Sequence, residues 1–404
     1  MCSFFKKIAV FCTLICCVIF SLIYLGDKSI PDEILTIENT DYKMKSVFGL
    51  SLFQLNYNKS NSTSQRVFQN KAEVELLNII PVKTAEITNT KRNYVVLGGE
   101  LFGIKLYTDG IIVVDTASVL TDKGNINPAE IAGLKKGDII KTINNTRVNS
   151  TKELVNILEA SKGNPLSVEI VRKEKILKIE FATYKDVESG KYKAGLWVRD
   201  SSAGLGTTTF YDINSNVFAG LGHGIYDVDT NQIMPLRKGE VYDAYVKGMY
   251  RSESGNIGEL CGVISGDSKG DLYLNEDTGV YGFINCNKNE LIPVAMTHEI
   301  ETGDAKICCT IDNNGVKEYD IKIKKIFSNS INKDMIIEIT DSELLGKTGG
   351  IVQGMSGSPI IQNGMLVGAV THVFVNDSTR GYAIFAEKML ETSNDIIEQY
   401  DKAS

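Results

Sequence analysis

The chain has 404 residues, 43% of them hydrophobic and 23% charged, with a net charge of −7 and a pI near 5.3. That balance excludes a disordered polymer, and an acidic chain without a basic stripe is a poor partner for nucleic acid. The length leaves room for two or three domains.

Ile8 to Leu25 is an uncharged apolar run, preceded by Lys6 and Lys7 and followed by Asp27 and Lys28. It is long enough to cross a bilayer, and the lysines place its start in the cytoplasm and the remainder on the extracytoplasmic side. A cleaved signal peptide is the rival reading. Small residues in an A-x-A-like pattern are missing around Tyr24 to Ser29, which favours an uncleaved single-pass anchor over 1–26. Four of the eight cysteines lie in or beside this run; Cys261, Cys286, Cys308 and Cys309 remain, show no metal spacing, and read as free buried thiols.

Residues 27–93 read as a juxtamembrane linker with a strand-rich end. The patch from Asn58 to Ser64 is the most linker-like and would be open to proteolysis, including by the chain itself. From Tyr94 the pattern changes. Leu101-Phe102-Gly103-Ile104 fits an x-Φ-G-Φ peptide-binding loop, Asn127 to Ile140 reads NPAEIAGLKKGDII, and Ser150-Thr151-Lys152-Glu153 is a capping box before a helix with Leu154, Ile157 and Leu158. These signatures resemble a PDZ domain over 94–183. The resemblance implies a groove for an extended peptide, with Leu101, Phe102, Gly103 and Ile104 at its carboxylate-binding end.

Residues 184–404 are short β-runs separated by Gly, Asn and Asp turns, ending in a helical tail. Within them Gly354-Met355-Ser356-Gly357-Ser358-Pro359 sets a serine between glycines, and Asn363-Gly364 turns a hairpin into the strand from Met365. Ser356 is the candidate nucleophile; Gly354 and Ser356 N–H groups are the candidate oxyanion hole. The chain has three histidines. His223, between glycines at an apolar strand end, is the candidate base; His372 is the runner-up and His298 the weakest. The orienting carboxylate is Asp341, at the end of Ile337-Glu338-Ile339-Thr340, or Asp227, four residues after His223.

The turn, hairpin and following strand resemble the nucleophile region of chymotrypsin-like serine proteases. That resemblance implies a double β-barrel, with Thr371 and His372 bordering the substrate cleft. The fold class is therefore mainly β: an N-terminal transmembrane helix, an α+β PDZ domain, then a chymotrypsin-like double β-barrel.

The single N-terminal anchor, a PDZ domain ahead of the protease, Gly-Leu-Gly-His223, Ile-Thr-Asp341 and the long run from Lys347 to Gln362 together resemble the stage IV sporulation protein B peptidases. That resemblance assigns His223, Asp341 and Ser356 as base, orienting acid and nucleophile. It implies a self-cleaving signalling protease between forespore and mother cell, which cuts a regulator of the membrane-embedded protease that processes the late mother-cell sigma factor precursor. No cofactor and no metal is expected; the expected partners are protein or peptide substrates, the chain itself among them. The alternatives are a catalytically inactive PDZ-based docking protein and an HtrA-type quality-control protease. HtrA-type chains carry their PDZ domains after the protease, the reverse of the order here.

Overall fold

The structure, a computed structural model, describes residues 2–30, 33–37, 52–57, 70–327 and 330–403. The chain divides into two compact units, Met1–Asn93 and Tyr94–Ser404.

In the first unit, helix α1 (Cys2–Ser29) is apolar over Lys6–Lys28, enough to cross a membrane by length and composition. Four strands form one sheet in the order Glu33–Ile37, Ile80–Thr90, Asn70–Leu76, Phe53–Tyr57, around Ile30, Phe53, Val74, Leu76 and Ala85. Pro81 lies in one of those strands, where it opposes Glu75 at a register shift, a position at which a missing N–H is tolerated. The linker-like patch from Asn58 to Ser64 lies outside the described residues.

The second unit is built on strands β1 (Tyr94–Leu97), β2 (Leu101–Thr116), β3 (Ile139–Ile143), β4 (Pro165–Arg172), β5 (Lys175–Ala182), β6 (Leu196–Asp212), β7 (Val217–Gly220), β8 (Leu236–Tyr250), β9 (Glu259–Glu276) and β10 (Gly279–Ile284). Pairings β2–β8, β8–β9, β9–β10, β10–β7, β7–β6 and β6–β2 close a ring, the first barrel. Strands β11 (Gly303–Cys309), β12 (Lys317–Ile326), β13 (Met335–Ile339), β14 (Pro359–Gln362), β15 (Met365–Phe374) and β16 (Asp377–Phe385) close the second. Its interior is lined by Ile307, Ile321, Ile323, Ile337, Ile360 and Val370, set at alternate strand positions as a one-sided strand requires. The helical tail expected near the end is α4 (Ala386–Ala403), whose Met389, Leu390 and Ile396 pack with Phe210 and Tyr281.

The PDZ fold is not a separate bead ahead of the barrels. The first half of β2 pairs with β8 and β6 inside the first barrel, and its second half, at Ile111 and Ile112, pairs with β3. β4 and β5 extend that side, and helix α2 (Thr151–Ser161) covers it with Leu154 and Leu158. The chain thus starts the first barrel with β2 at Leu101, leaves it through the second half of β2 to build the PDZ fold, and returns along β6. The PDZ fold is an insertion in the barrel.

This placement corrects the reading of Leu101 to Ile104 as a peptide-binding loop. They are strand residues: Phe102 to Ile104 pair on both sides, with β6 and β8, Leu101 pairs with β6, and Leu101, Phe102 and Ile104 are buried, so Phe102 to Ile104 leave no edge for a peptide. Gly103 is needed because Ile264 fills the space a Cβ would take.

Candidate active site

The nucleophile turn hangs from the second barrel but is pinned by threonines of the first. Thr207 N–H donates to Ser356 O (2.9 Å), Thr207 Oγ1 to Gly354 O (2.8 Å) and Thr209 Oγ1 to Gly357 O (2.8 Å). Close approach is possible only because Gly357 has no side chain: a Cβ there would lie 2.0 Å from Thr207 O. Gly354 lies in the turn at φ +100°, a conformation that favours glycine. Among the described residues no backbone carbonyl accepts from the N–H of Gly354 or Ser356, so both can point at one oxyanion. The hairpin after the turn closes through Asn363 and Gly364, both at positive φ, as the Asn-Gly pair predicts.

His223 is delivered by the end of β7. Leu221 and Gly222 both take positive φ and swing the chain out of the barrel wall. Its Nδ1 lies 2.8 Å from Gly224 O. A carbonyl only accepts, so Nδ1 carries the proton and Nε2 keeps the lone pair a general base needs. His372 stacks on this ring with centroids 4.9 Å apart. Burial holds the pKa of His223 below its ordinary value; burial, then the neighbouring His223 and Lys333, push His372 down to about 4. Both imidazoles are neutral near pH 7.

Ser356, His223, His372 and Gly354 share one cleft of about 670 Å³, with Ser202 to Leu205 of β6, Tyr226 and Asn332 on its walls. Ser356 Oγ donates to Thr371 O at 3.0 Å. Thr371 itself is buried, and its hydroxyl donates to Asn332 O. His298 lies in a short 3₁₀ turn, Thr297–Glu299, apart from this cleft.

Neither expected carboxylate reaches the base. Asp341 is the N-cap of helix α3 (Ser342–Thr348), its Oδ1 accepting from Leu344 N–H at 2.9 Å, and it lines no part of the cleft. The run Asp341-Ser342-Glu343-Leu344 reads equally well as a helix start, and that reading holds. Asp227 is buried and accepts from Arg199 Nη1, Thr230 N–H (2.8 Å) and Asp229 N–H (3.1 Å). Burial pushes its carboxyl up, but the Thr230 and Arg199 hydrogen bonds outweigh it and hold the pKa below the usual carboxylate value. The Nδ1 partner of His223 is the Gly224 carbonyl.

Two more residues shape the cleft and carry no sequence signal of their own. Asp277, in the β9–β10 turn, accepts from Tyr226 OH, and Asn332 Nδ2 donates to Asp277 O at 2.9 Å. Tyr226, Asp277, Asn332 and Thr371 form a linked rim. Cys308 and Cys309 are free and buried; burial pushes the Cys308 thiol up to about 12 and that of Cys309 higher, so both are inert. Cys261 and Cys286 are free and half-buried rather than fully enclosed.

Residues 190–390 match the family described as SpoIVB peptidase S55, and residues 101–183 match the PDZ domain family. The chain is a PDZ-containing serine endopeptidase of the SpoIVB peptidase family. Among solved structures it is similar to the PDZ domain of the SdrC-like protein Lmo2051 of Listeria monocytogenes, at 22% identity over 22% of this chain and 87% of that one, TM-score 0.19. It is also similar to the active form of the Rv3671c protease of M. tuberculosis, at 13% identity over 47% and 72%, TM-score 0.27. A third is the HtrA-type protease AlgW with a tripeptide, at 15% identity over 49% and 57%, TM-score 0.31.

Proposed function

We propose that this S55 peptidase cleaves peptide bonds through Ser356 as nucleophile and His223 as its general base, with Gly354 and Ser356 N–H groups receiving the oxyanion. The observation that carries the reading is the shared cleft, in which the pinned Ser356 turn faces an imidazole whose Nδ1–H is already spent on Gly224 O. The serine proton passes to His223 Nε2, the carbonyl carbon is attacked, and the imidazolium returns the proton to the leaving amine. Water, activated by the same nitrogen, then releases the acyl group. A carbonyl in place of a carboxylate fixes the tautomer of His223 but adds less stabilisation to the imidazolium. His372 lines the acyl side of the cleft, and the buried Thr371 presents its carbonyl beside Ser356.

The finer reading draws on family membership and on helix α1. The protein is anchored by α1 with its catalytic unit on the extracytoplasmic side, processes itself between the anchor and Tyr94, and cleaves a regulator in sporulation signalling so that the late sigma factor precursor matures. The full chain in detergent micelles, as wild type and as Ser356→Ala, is followed by intact mass and by labelling with a fluorophosphonate. Wild type that shortens within 27–93 and takes the label, beside a variant that does neither, supports the whole reading. Labelling absent from both overturns the catalytic assignment. Blocked sigma factor maturation in a sporulating host carrying Ser356→Ala tests the pathway.

A further inference from the structure

Strand β6 spans the molecule from the PDZ fold to the nucleophile, and its two sides are used differently. On one side β2 pairs with it from Leu196 to Thr207 and β1 continues at Phe210 and Tyr211. On the other side β7 pairs only from Thr208 to Asp212, and the contact ends where Leu221 N–H donates to Thr207 O. Among the described residues no strand pairs with that second side from Leu196 to Gly206.

The open edge has a defined set of donors and acceptors. Both polar groups of Thr207 face the β7 side, its N–H bonded to Ser356 O and its carbonyl to Leu221 N–H. From Ser201 to Thr207 the register with β2 is regular, so by alternation the N–H and C=O of Leu205 and Ala203 also face the open side. Both residues line the catalytic cleft. Further along, Trp197 is a large aromatic that is 64% exposed. Helix α2 approaches here through Asp200, whose Oδ2 accepts from Thr151 N–H at 2.7 Å.

We propose that β6 is a docking rail for the leaving-group half of an extended protein substrate, regular from Thr207 to Ser201 and bulged beyond it towards Trp197. The segment after the cleaved bond adds as a strand to Leu205 and Ala203, runs antiparallel along β6, and sets an apolar side chain on Trp197 about eight residues beyond the bond. The antiparallel sense is the one every neighbour of β6 adopts. The inference rests on the assignment of Ser356 and His223, because with the acyl half along Thr371 and His372 the leaving group must exit past His223 towards β6. The substrate class is then a flexible tail or linker of at least ten residues; a folded surface loop could not lie along a rail of about 30 Å.

The test uses the full chain in detergent micelles and β-casein, a disordered protein, as the first probe. A site mapped in β-casein by mass spectrometry is remade as peptides with three, six, nine or twelve residues after the bond and leucine at the eighth where present. Expected is a rise in kcat/KM of about tenfold between three and nine residues and a plateau beyond. Trp197→Asp should collapse that long-to-short ratio towards one, and Trp197→Phe should keep it. A flat length dependence, or a ratio unmoved by Trp197→Asp, overturns the rail while leaving the peptidase assignment standing. No cleavage of β-casein overturns the rail, and the peptidase assignment falls with it only if fluorophosphonate labelling of Ser356 is absent as well.

Discussion

Ser356 rests its hydroxyl on the carbonyl of Thr371, 3.0 Å away, and not on the imidazole that would activate it. Thr371 has no partner in the β15–β16 ladder, which breaks register between Val370 and His372, and its carbonyl is left to the serine. A substrate strand lying along β15 needs that same carbonyl for its own N–H, so binding displaces the serine towards His223. Ser356→Cys should therefore lose peptidase activity yet still bind substrate, and Ser356→Ala should bind peptide more tightly than wild type because no hydroxyl competes for Thr371 O. Fluorescence anisotropy of one labelled peptide on the three proteins checks this; weaker binding by Ser356→Ala would contradict it.

The base titrates from the acidic side. Burial lowers the pKa of His223, and only its neutral form accepts the serine proton, so kcat/KM should fall as pH drops through a midpoint below the ordinary 6.5. A pH profile of peptide hydrolysis with its acid limb centred above 6.5 would contradict the burial argument.

His372 carries a stability counterpart. Its pKa is about 4 in the folded chain against an ordinary 6.5, so between those values the unfolded state binds a proton that the folded state does not. Stability should rise with pH across that window and be lost as pH falls from 6.5 towards 4. Urea unfolding at several pH values should show this slope, and His372→Phe should flatten it, apart from what His223 contributes with the same sign.

How far the sequence could be read follows the range of the interactions. The Ser356 turn, the Asn363-Gly364 hairpin and the capping box of α2, in which Glu153 N–H bonds Ser150 Oγ at 3.2 Å, are local, and neighbouring residues specify them. The threading of the PDZ fold into the first barrel is written in pairs such as Leu101 with Thr207 and Phe102 with Asp243, more than a hundred residues apart. No spacing rule sees those. Leu101 to Ile104 failed as a loop because Φ-Φ-G-Φ describes a doubly paired buried strand just as well, and the deciding partner, Ile264, is remote. Asn332 on the cleft wall and Asp277 behind it carry no signal at all, since a turn Asp and a loop Asn are ordinary surface residues until the barrels fold.

Asp341 separates family resemblance from geometry. Its carboxylate caps α3 and is bonded to Leu344 N–H, so Asp341→Ala should cost about 0.5–2 kcal/mol of stability, the usual loss for an N-cap. Folded Asp341→Ala should keep the wild-type kcat/KM and the wild-type acid limb. Asp341→Asn, which also caps, should be close to wild type in both stability and rate. A large loss of kcat in folded Asp341→Asn would show the carboxylate acting on His223 and overturn the Gly224 assignment.

Arg199 ties the strand that leaves the PDZ fold to the loop that holds the base. Its guanidinium reaches Asp227, whose side chain is fully buried, and Asp229 at 2.8 Å. That loop begins at Gly224, whose carbonyl fixes the tautomer of His223. Arg199→Ala leaves the Asp227 carboxylate with two backbone N–H partners and no countercharge. The expected cost is about 2–3 kcal/mol, less than for a fully buried pair because Arg199 is itself partly exposed. The loop should loosen at the same time, so kcat should fall more than KM rises, and Arg199→Lys should recover stability in part through a single contact. Unfolding and hydrolysis measured on the same preparations separate the two effects. An Arg199→Ala protein that loses stability with an unchanged kcat would reduce Arg199 to a strut and cut the link between β6 and the base.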